Sequence, residues 1–214
     1  MARPRTPKGR ARRTHDLLAG EYPNAECELA HDNPFQLIVA TILSAQATDV
    51  GVNKVTPGLF ARFPDAEALA GASHEEVESL IASLGLFRNK TKSIIKCANQ
   101  LVDLHDGQVP IAMKDLTALA GVGRKTANVV RSVALGQPGL PVDTHVLRLS
   151  SLLQLTEETD PVKVELELNP MIRADERGLF SLRMILHGRR VCIARRPNCI
   201  ECTLNGFCPS AELE

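Results

Sequence analysis

The sequence predicts an all-α protein, and three observations support that prediction. Apolar residues recur at helical spacing along most of the 214 residues, whereas alternating strand patterns are scarce. Helix start signals precede several of these stretches, and glycine follows some of them. Apolar residues make up 44% of the chain and charged residues 23%, a balance typical of folded globular proteins. We therefore expect helices that pack on helices around a buried core.

Each predicted helix is an apolar-periodic stretch with a recognisable beginning or end. Asn33 and Pro34 are typical of an N-cap and the first helical position. The segment Ser73–Glu76 is typical of a capping box, and Gly85 ends the helix that this box opens. From Arg189 onward the chain is rich in Arg, Cys, Pro and Gly and has no helical period. The predicted helices cover residues 35–43, 74–84, 89–105, 116–120, 125–135, 144–153 and 161–172.

Composition excludes several classes of protein. Six Phe, one Tyr and no Trp are too few for a module that stacks nucleic-acid bases on an aromatic sheet. The best apolar run, residues 37–43, is too short to cross a membrane. The basic N-terminus has no apolar segment behind it and is not a secretory signal. We therefore expect a soluble cytoplasmic protein with no membrane partner.

The net charge is zero, but the charges are sorted into blocks. Residues 1–13 carry six basic side chains and no acid, and residues 177–200 carry six arginines and no acid. Such blocks let a neutral chain present a basic face to a polyanion, although solvated charge runs explain them equally well. We expect residues 1–13 to form an arm without fixed structure in the absence of a polyanionic partner.

Four of the six cysteines lie in the tail with the spacing C-x6-C-x2-C-x5-C. Disulfides are disfavoured because the cytosol keeps thiols reduced, so the cluster of thiols indicates a metal site. The spacing favours a [4Fe–4S] cluster but leaves zinc open, since zinc more often uses two C-x2-C knuckles. The two other cysteines, Cys27 and Cys97, lie in apolar patterns and are expected to fill the core. The four candidate ligands are Cys192, Cys199, Cys202 and Cys208.

A glycine-containing hairpin is predicted between two helices, and Arg124 and Lys125 follow it directly. Gly121 and Gly123 allow the backbone to approach a ligand closely, and the N–H groups that open the second helix point outward. Such N–H groups bind phosphate without a charged side chain. Helix hairpins also contain glycine simply to turn the chain. The adjacent Arg-Lys pair favours contact with a nucleic-acid backbone.

Six motifs in order resemble the endonuclease III family of the helix-hairpin-helix DNA glycosylase superfamily. The resemblance covers about residues 34–209, and the family's cysteine spacing decides between zinc and the [4Fe–4S] cluster in favour of the cluster. The motifs are Leu43–Asp49, Gly85–Phe87 with Asn89 and Lys90, Gly121–Asn128, Val142–His145, Ile185–Arg189 and the four cysteines of the tail.

The resemblance implies two helical domains with DNA across an active-site cleft between them. A six-helix barrel with the helix-hairpin-helix motif would span residues 27–136. Residues 1–26, with an N-terminal helix, and residues 137–214 would form the cluster domain. The implied activity is that of a base-excision-repair DNA glycosylase with AP lyase activity. It would remove oxidised pyrimidines and cleave the strand by β-elimination through a Schiff base. The implied partner is duplex DNA with damaged bases or abasic sites, bound by a monomer in the bacterial cytoplasm.

Family chemistry maps onto Lys125 as the nucleophile and Asp143 as its carboxylate partner. A lysine attacks C1′ of deoxyribose only after it loses its proton, and the positive helix start and Arg124 both disfavour its ammonium form. The carboxylate can stabilise an oxocarbenium-like sugar and move protons. The structural alternatives are an exposed helix lysine and an N-cap aspartate, and the N-cap role is compatible with catalysis.

The resemblance also implies residues that contact DNA. Gln46 and Leu86 match positions that enter the base stack when a base is extruded from the duplex. Their structural alternatives are a polar residue at a helix end and a core leucine. His145 matches a residue of the catalytic cleft, and a hydrogen-bonded structural histidine is its alternative. The DNA-contact set is completed by Gly121, Gly123 and Arg124.

Two other classes of function are alternatives to the bifunctional glycosylase. A monofunctional relative such as adenine glycosylase shares fold and cluster but lacks the nucleophilic lysine, so Lys125 argues against it. A non-catalytic DNA-binding or redox-signalling protein would not need both Lys125 and Asp143. One departure from the family also matters, because Ala120 stands where many relatives have proline, which predicts a less rigid start of the hairpin.

Overall fold

The computed structural model describes residues 4–213, and these form eleven α-helices and one short 3-10 helix without any β-strand. The all-α prediction is confirmed. The described residues divide into two compact units. We call Cys27–Gln137 the central unit; the terminal unit consists of the described residues before Cys27 and those from Pro138 onward.

The central unit contains seven helices, and the terminal unit contains the other four with the 3-10 helix. The central helices are α2 (Pro34–Leu43), α3 (Asp49–Arg62), α4 (Ala66–Ala70), α5 (His74–Ile81), α6 (Phe87–His105), α7 (Met113–Ala118) and α8 (Arg124–Val133). The terminal helices are α1 (Pro7–Glu21), α9 (Thr144–Leu152), α10 (Pro161–Leu168) and α11 (Arg177–Arg190), with the 3-10 helix Ala174–Glu176 before α11.

The capping predictions are confirmed. The side chain of Asn33 accepts a hydrogen bond from the amide of Gln36 at 2.9 Å, and Ser73 caps α5 through the amide of Glu76. Helix ends differ by a few residues from the predicted ones. The prediction to residue 172 was wrong for α10, which ends at Leu168. Asn169 still has helical backbone angles, but Pro170 has no N–H to continue the helical hydrogen bonds.

The helical pattern missed four helices, although the family resemblance implied an N-terminal one. Helix α1 contradicts the prediction of a structureless basic arm. It begins at Pro7, and the side chain of Thr6 accepts a hydrogen bond from the amide of Gly9. Residues 1–3 of the predicted arm lie outside the described residues. The sequence signal was Thr6 followed by Pro7, which is typical of an N-cap and the first helical position. The residues that this helix buries recur at helical spacing. These buried residues are Ala11, Thr14, His15 and Leu18.

Each unit has its own apolar core. In the central unit α2 is buried on all sides over residues 37–43, as expected for a helix that is hydrophobic all round. Cys97 fills this core, and burial raises the pKa of its thiol to about 12. Cys27 lies in a loop at the edge of the same core. In the terminal unit Phe180 of α11 is fully buried at the centre of the second core.

Candidate functional site

The hairpin between α7 and α8 requires glycine at position 121 for two independent reasons. Gly121 has φ +76, a left-handed backbone that other residues rarely adopt. A Cβ at this position would lie 3.1 Å from Ile42 and 3.1 Å from Ser93. The hairpin backbone therefore packs directly on α2 and α6, and the close approach fixes its position.

We expect Gly121→Ala to lower the free energy of unfolding by about 2–4 kcal/mol, because backbone strain and overpacking add. Gly123→Ala is the matched control. A Cβ at position 123 would have no neighbour within 4 Å. This substitution therefore costs only the preference of an N-cap for glycine over alanine, about 1 kcal/mol or less. Chemical denaturation of both variants measures the difference. An equal loss of unfolding free energy in the two variants would contradict the argument that Gly121 is closely packed.

The start of the hairpin is held by a side chain from α6. Gln100 accepts a hydrogen bond from the backbone N–H of Ala120 at 2.7 Å and donates one to the carbonyl of Ala118 at 3.3 Å. Proline at position 120 would have no N–H to donate. The expectation of a less rigid hairpin did not take into account this pair of hydrogen bonds, which fixes the segment at Ala120.

Helix α8 begins without a side-chain cap. Gly123 is the N-cap and supplies no side-chain hydrogen bond, and no acidic residue lies in the first turn. The side chain of Lys125 is exposed in that turn, next to the half-buried Arg124. An open helix start with positive side chains is suited to bind an anion such as phosphate.

Gln46 and Leu86 are both exposed and both have left-handed backbone, with φ of +53 and +58. Gln46 lies in the turn after α2, and Leu86 is the N-cap of α6. The alternative of a core leucine is wrong, since 56% of Leu86 is exposed. Non-glycine residues in this conformation store strain, and such residues cluster at functional sites.

Asp143 is confirmed as the N-cap of α9. Its Oδ1 accepts hydrogen bonds from the amides of His145 and Val146 at 2.9 and 2.8 Å. This cap does not use Oδ2. The ring of His145 lies against Gly188 of α11, where a Cβ would come within 2.9 Å of Nδ1. Burial lowers the pKa of His145, so the ring is neutral at neutral pH.

The four cysteines of the tail line one cavity of about 370 Å³ together with Arg148. Arg148 donates hydrogen bonds to the carbonyls of Gly188 and Cys192, which ties this loop to α9. Among the described residues no three His, Cys, Asp or Glu side chains converge closely enough for a single metal ion. Four sulfurs spaced around a cavity fit a larger inorganic group better than a zinc ion, which draws its ligands to within about 2.3 Å.

Burial of the cysteines in the tail changes the pKa of their thiols. It raises the pKa of Cys192, Cys202 and Cys208, and that of Cys202 reaches about 11. The thiols therefore keep their protons at neutral pH until a cation binds and displaces them.

The basic blocks serve partly as structural donors. Arg10 donates to the carbonyls of Leu153 and Gln154 after α9. Arg183 is buried and donates to the carbonyl of Tyr22. Sequence reasoning could not separate these arginines from exposed ones such as Arg195 and Arg196, because the carbonyls they bind are distant in sequence.

Known proteins match this arrangement over most of the chain. A family profile described as HhH-GPD superfamily base excision DNA repair protein matches residues 39–173. The endonuclease III of Synechocystis sp. is 52% identical over 197 residues, which cover 92% of this chain and 90% of the relative. The chain belongs to the HhH-GPD superfamily. The endonuclease III of Escherichia coli K12, 40% identical over 89% of this chain and 90% of its own, agrees with this assignment.

Solved structures of HhH-GPD proteins agree with the fold. A non-covalent endonuclease III–DNA complex has a TM-score of 0.90 and 42% identity, and covers 95% of this chain and 96% of its own. A trapped endonuclease III–DNA covalent intermediate matches with the same values. The family resemblance predicted from the motifs is thereby confirmed. In the described part of the chain no helix is both long and apolar enough to cross a membrane.

Proposed function

We propose that this protein is a base-excision-repair DNA glycosylase with AP lyase activity, which removes oxidised pyrimidines from duplex DNA. The observation that carries the proposal is the exposed Lys125 in the first turn of α8, beside an open glycine hairpin. A covalent intermediate between DNA and a 42% identical endonuclease III supports a nucleophilic amine in this family. We further propose that the protein acts as a monomer in the bacterial cytoplasm and associates with the nucleoid through DNA.

The hairpin would hold the DNA strand by its backbone. The N–H groups at the start of α8 donate to a phosphate, and Arg124 adds positive charge. Because Gln100 and the packing of Gly121 fix the hairpin, little conformational freedom is lost on binding.

Lys125 would supply the nucleophile. Its deprotonated Nζ forms a bond to C1′ while the bond from C1′ to the base breaks, and the base leaves with the electron pair and takes up a proton. The C1′–O4′ bond then breaks and a proton passes from nitrogen to O4′, which leaves a protonated imine at C1′. Removal of a proton from C2′ breaks the C3′–O bond, and the downstream strand leaves with its phosphate.

Asp143 would act through the oxygen that its cap does not use. The cap fixes the carboxylate at the start of α9, so the side chain needs no reorganisation during the reaction. The negative charge stabilises the positive charge that develops on the sugar, and the carboxylate then accepts or returns protons. His145 would contribute polar contacts to DNA in its neutral form.

Gln46 and Leu86 would fill the space of an extruded base. Both project from strained, exposed turns, as a wedge must in order to reach the base stack. We expect Leu86→Ala to weaken binding to a duplex with an abasic-site analogue by about tenfold more than binding to undamaged duplex, because the wedge contacts the stack only after extrusion. Fluorescence anisotropy on both duplexes measures this ratio.

The control for Leu86 is Leu104→Ala, another exposed leucine of the same unit. It is expected to leave both affinities unchanged. Equal losses of Leu86→Ala on damaged and undamaged duplex would remove Leu86 from the wedge role.

The four cysteines of the tail would hold a [4Fe–4S] cluster. The group, when bound, supplies an inorganic core that crosslinks the tail, and its charge turns buried thiols into thiolate ligands. Among the described residues after α11 only Leu204 is buried, so the ligands would fix the fold of this tail. Iron and sulfide analysis of anaerobically prepared protein is expected to give about four of each per chain. Stoichiometric zinc without iron would contradict the assignment.

The proposed activity is tested by borohydride trapping and base release with the wild-type protein. Duplexes would carry thymine glycol, another oxidised pyrimidine, uracil, a mismatch or an abasic site. We expect release of oxidised pyrimidines and a covalent adduct that borohydride makes permanent. Base release without an adduct would favour a monofunctional glycosylase, and DNA binding without release would favour a non-catalytic protein.

A further inference from the structure

His187 connects the cysteine loop to the first helix of the terminal unit. It lies near the end of α11 and is 1% exposed. Its Nε2 is 3.4 Å from Sγ of Cys202. On the other edge of the ring, Nδ1 is 3.5 Å from the hydroxyl of Tyr22 and 3.6 Å from Oε1 of Glu21. None of the catalytic steps proposed above uses this histidine.

We propose that His187 donates a hydrogen bond from Nε2 to the sulfur of Cys202 and thereby sets the reduction potential of the cluster. The inference rests on the proposed cluster and concerns the residue that tunes it. Hydrogen bonds to ligating sulfurs are one of the means by which proteins set such potentials. Reduction adds negative charge to the sulfurs, so a donor stabilises the reduced form more than the oxidised form and raises the potential.

The direction of this hydrogen bond follows from ligation. A cysteine that binds iron has lost its proton, so its sulfur can only accept. Nε2 must then carry the hydrogen. Nδ1 has a suitable partner in either state, because Tyr22 can donate to a bare nitrogen and Glu21 can accept from a protonated one. The two neighbours therefore hold the ring with Nε2 towards Cys202.

The sulfur of Cys202 accepts a second hydrogen bond, which does not involve His187. The backbone N–H of Leu204 lies 3.4 Å from the same sulfur and stays in place when His187 is replaced. A substitution at His187 thus removes one of two donors and leaves the ligand and its loop in place.

The test compares His187→Met, of similar length without a donor, with His187→Gln, whose amide retains one. Redox titration of the anaerobic holoprotein is expected to show a lower midpoint potential for His187→Met. The expected change is on the order of tenfold in the reduction equilibrium, or about 59 mV for one electron. His187→Gln should restore most of this difference. Tyr22→Phe, which touches the ring but not the sulfur, should leave the potential near that of wild type.

Iron content separates this inference from the cluster assignment. Wild-type protein without iron would overturn the cluster itself. Loaded variants with unchanged potentials would overturn the role of His187 while the cluster stands. If His187→Met fails to load, wild-type protein with ¹⁵N-labelled histidine decides the question. Electron–nuclear double resonance on the one-electron-reduced, paramagnetic cluster should detect coupling to a histidine nitrogen. A spectrum without that coupling would overturn the proposal.

Discussion

Lys125→Ala is expected to abolish the borohydride-trapped adduct on duplexes with an oxidised pyrimidine or an abasic site. No imine forms without the Nζ amine, because covalent catalysis requires that nucleophile at C1′. DNA affinity should stay within about threefold of wild type, since the hairpin N–H groups still bind phosphate. Denaturing gel electrophoresis after borohydride treatment measures the adduct, and fluorescence anisotropy measures the affinity.

The matched control is Lys96→Ala, which removes an exposed lysine of the same unit from α6. It should leave adduct formation unchanged. Retention of the adduct in Lys125→Ala would assign the nucleophile to another amine. Loss of DNA affinity in proportion to the adduct would instead make Lys125 a phosphate contact.

Asp143→Asn is expected to lower the rate of base release on the order of hundredfold or more. The amide oxygen of asparagine can still accept the hydrogen bonds from His145 and Val146, so the cap of α9 is retained. The negative charge that stabilises the sugar and the capacity to accept protons are lost. Single-turnover measurement of base release, together with thermal unfolding, separates catalysis from stability.

Asp160 offers a closely matched control. It caps α10 in the same unit, and its Oδ1 accepts bonds from the amides of Val162 and Lys163 at 3.0 Å each. Asp160→Asn should change neither base release nor stability appreciably. If both variants lose activity alike, the loss at Asp143 is an effect of capping and the catalytic role is wrong.

The predictions that held depend on residues close together in the sequence. Asn33, Ser73 and Asp143 were identified as caps because a side chain that reaches an amide two or three residues later needs only local backbone geometry. The hairpin was identified for the same reason, from glycines between two helical patterns. The start of α1 is also local, since Thr6 and Pro7 form its N-cap and first position, but the surrounding basic residues were interpreted as an arm.

The sequence by itself thus determined the helical class, the family, the caps and the cysteines of the tail. Only the tertiary structure decided which arginines are structural, that Gln100 binds the backbone N–H of Ala120, and that Leu86 is exposed in a left-handed turn. It alone placed His187 between Cys202 and Tyr22. These features depend on contacts between residues far apart in sequence, or on strained backbone that the surrounding fold imposes. Neither can be predicted from the conformational preferences of neighbouring residues.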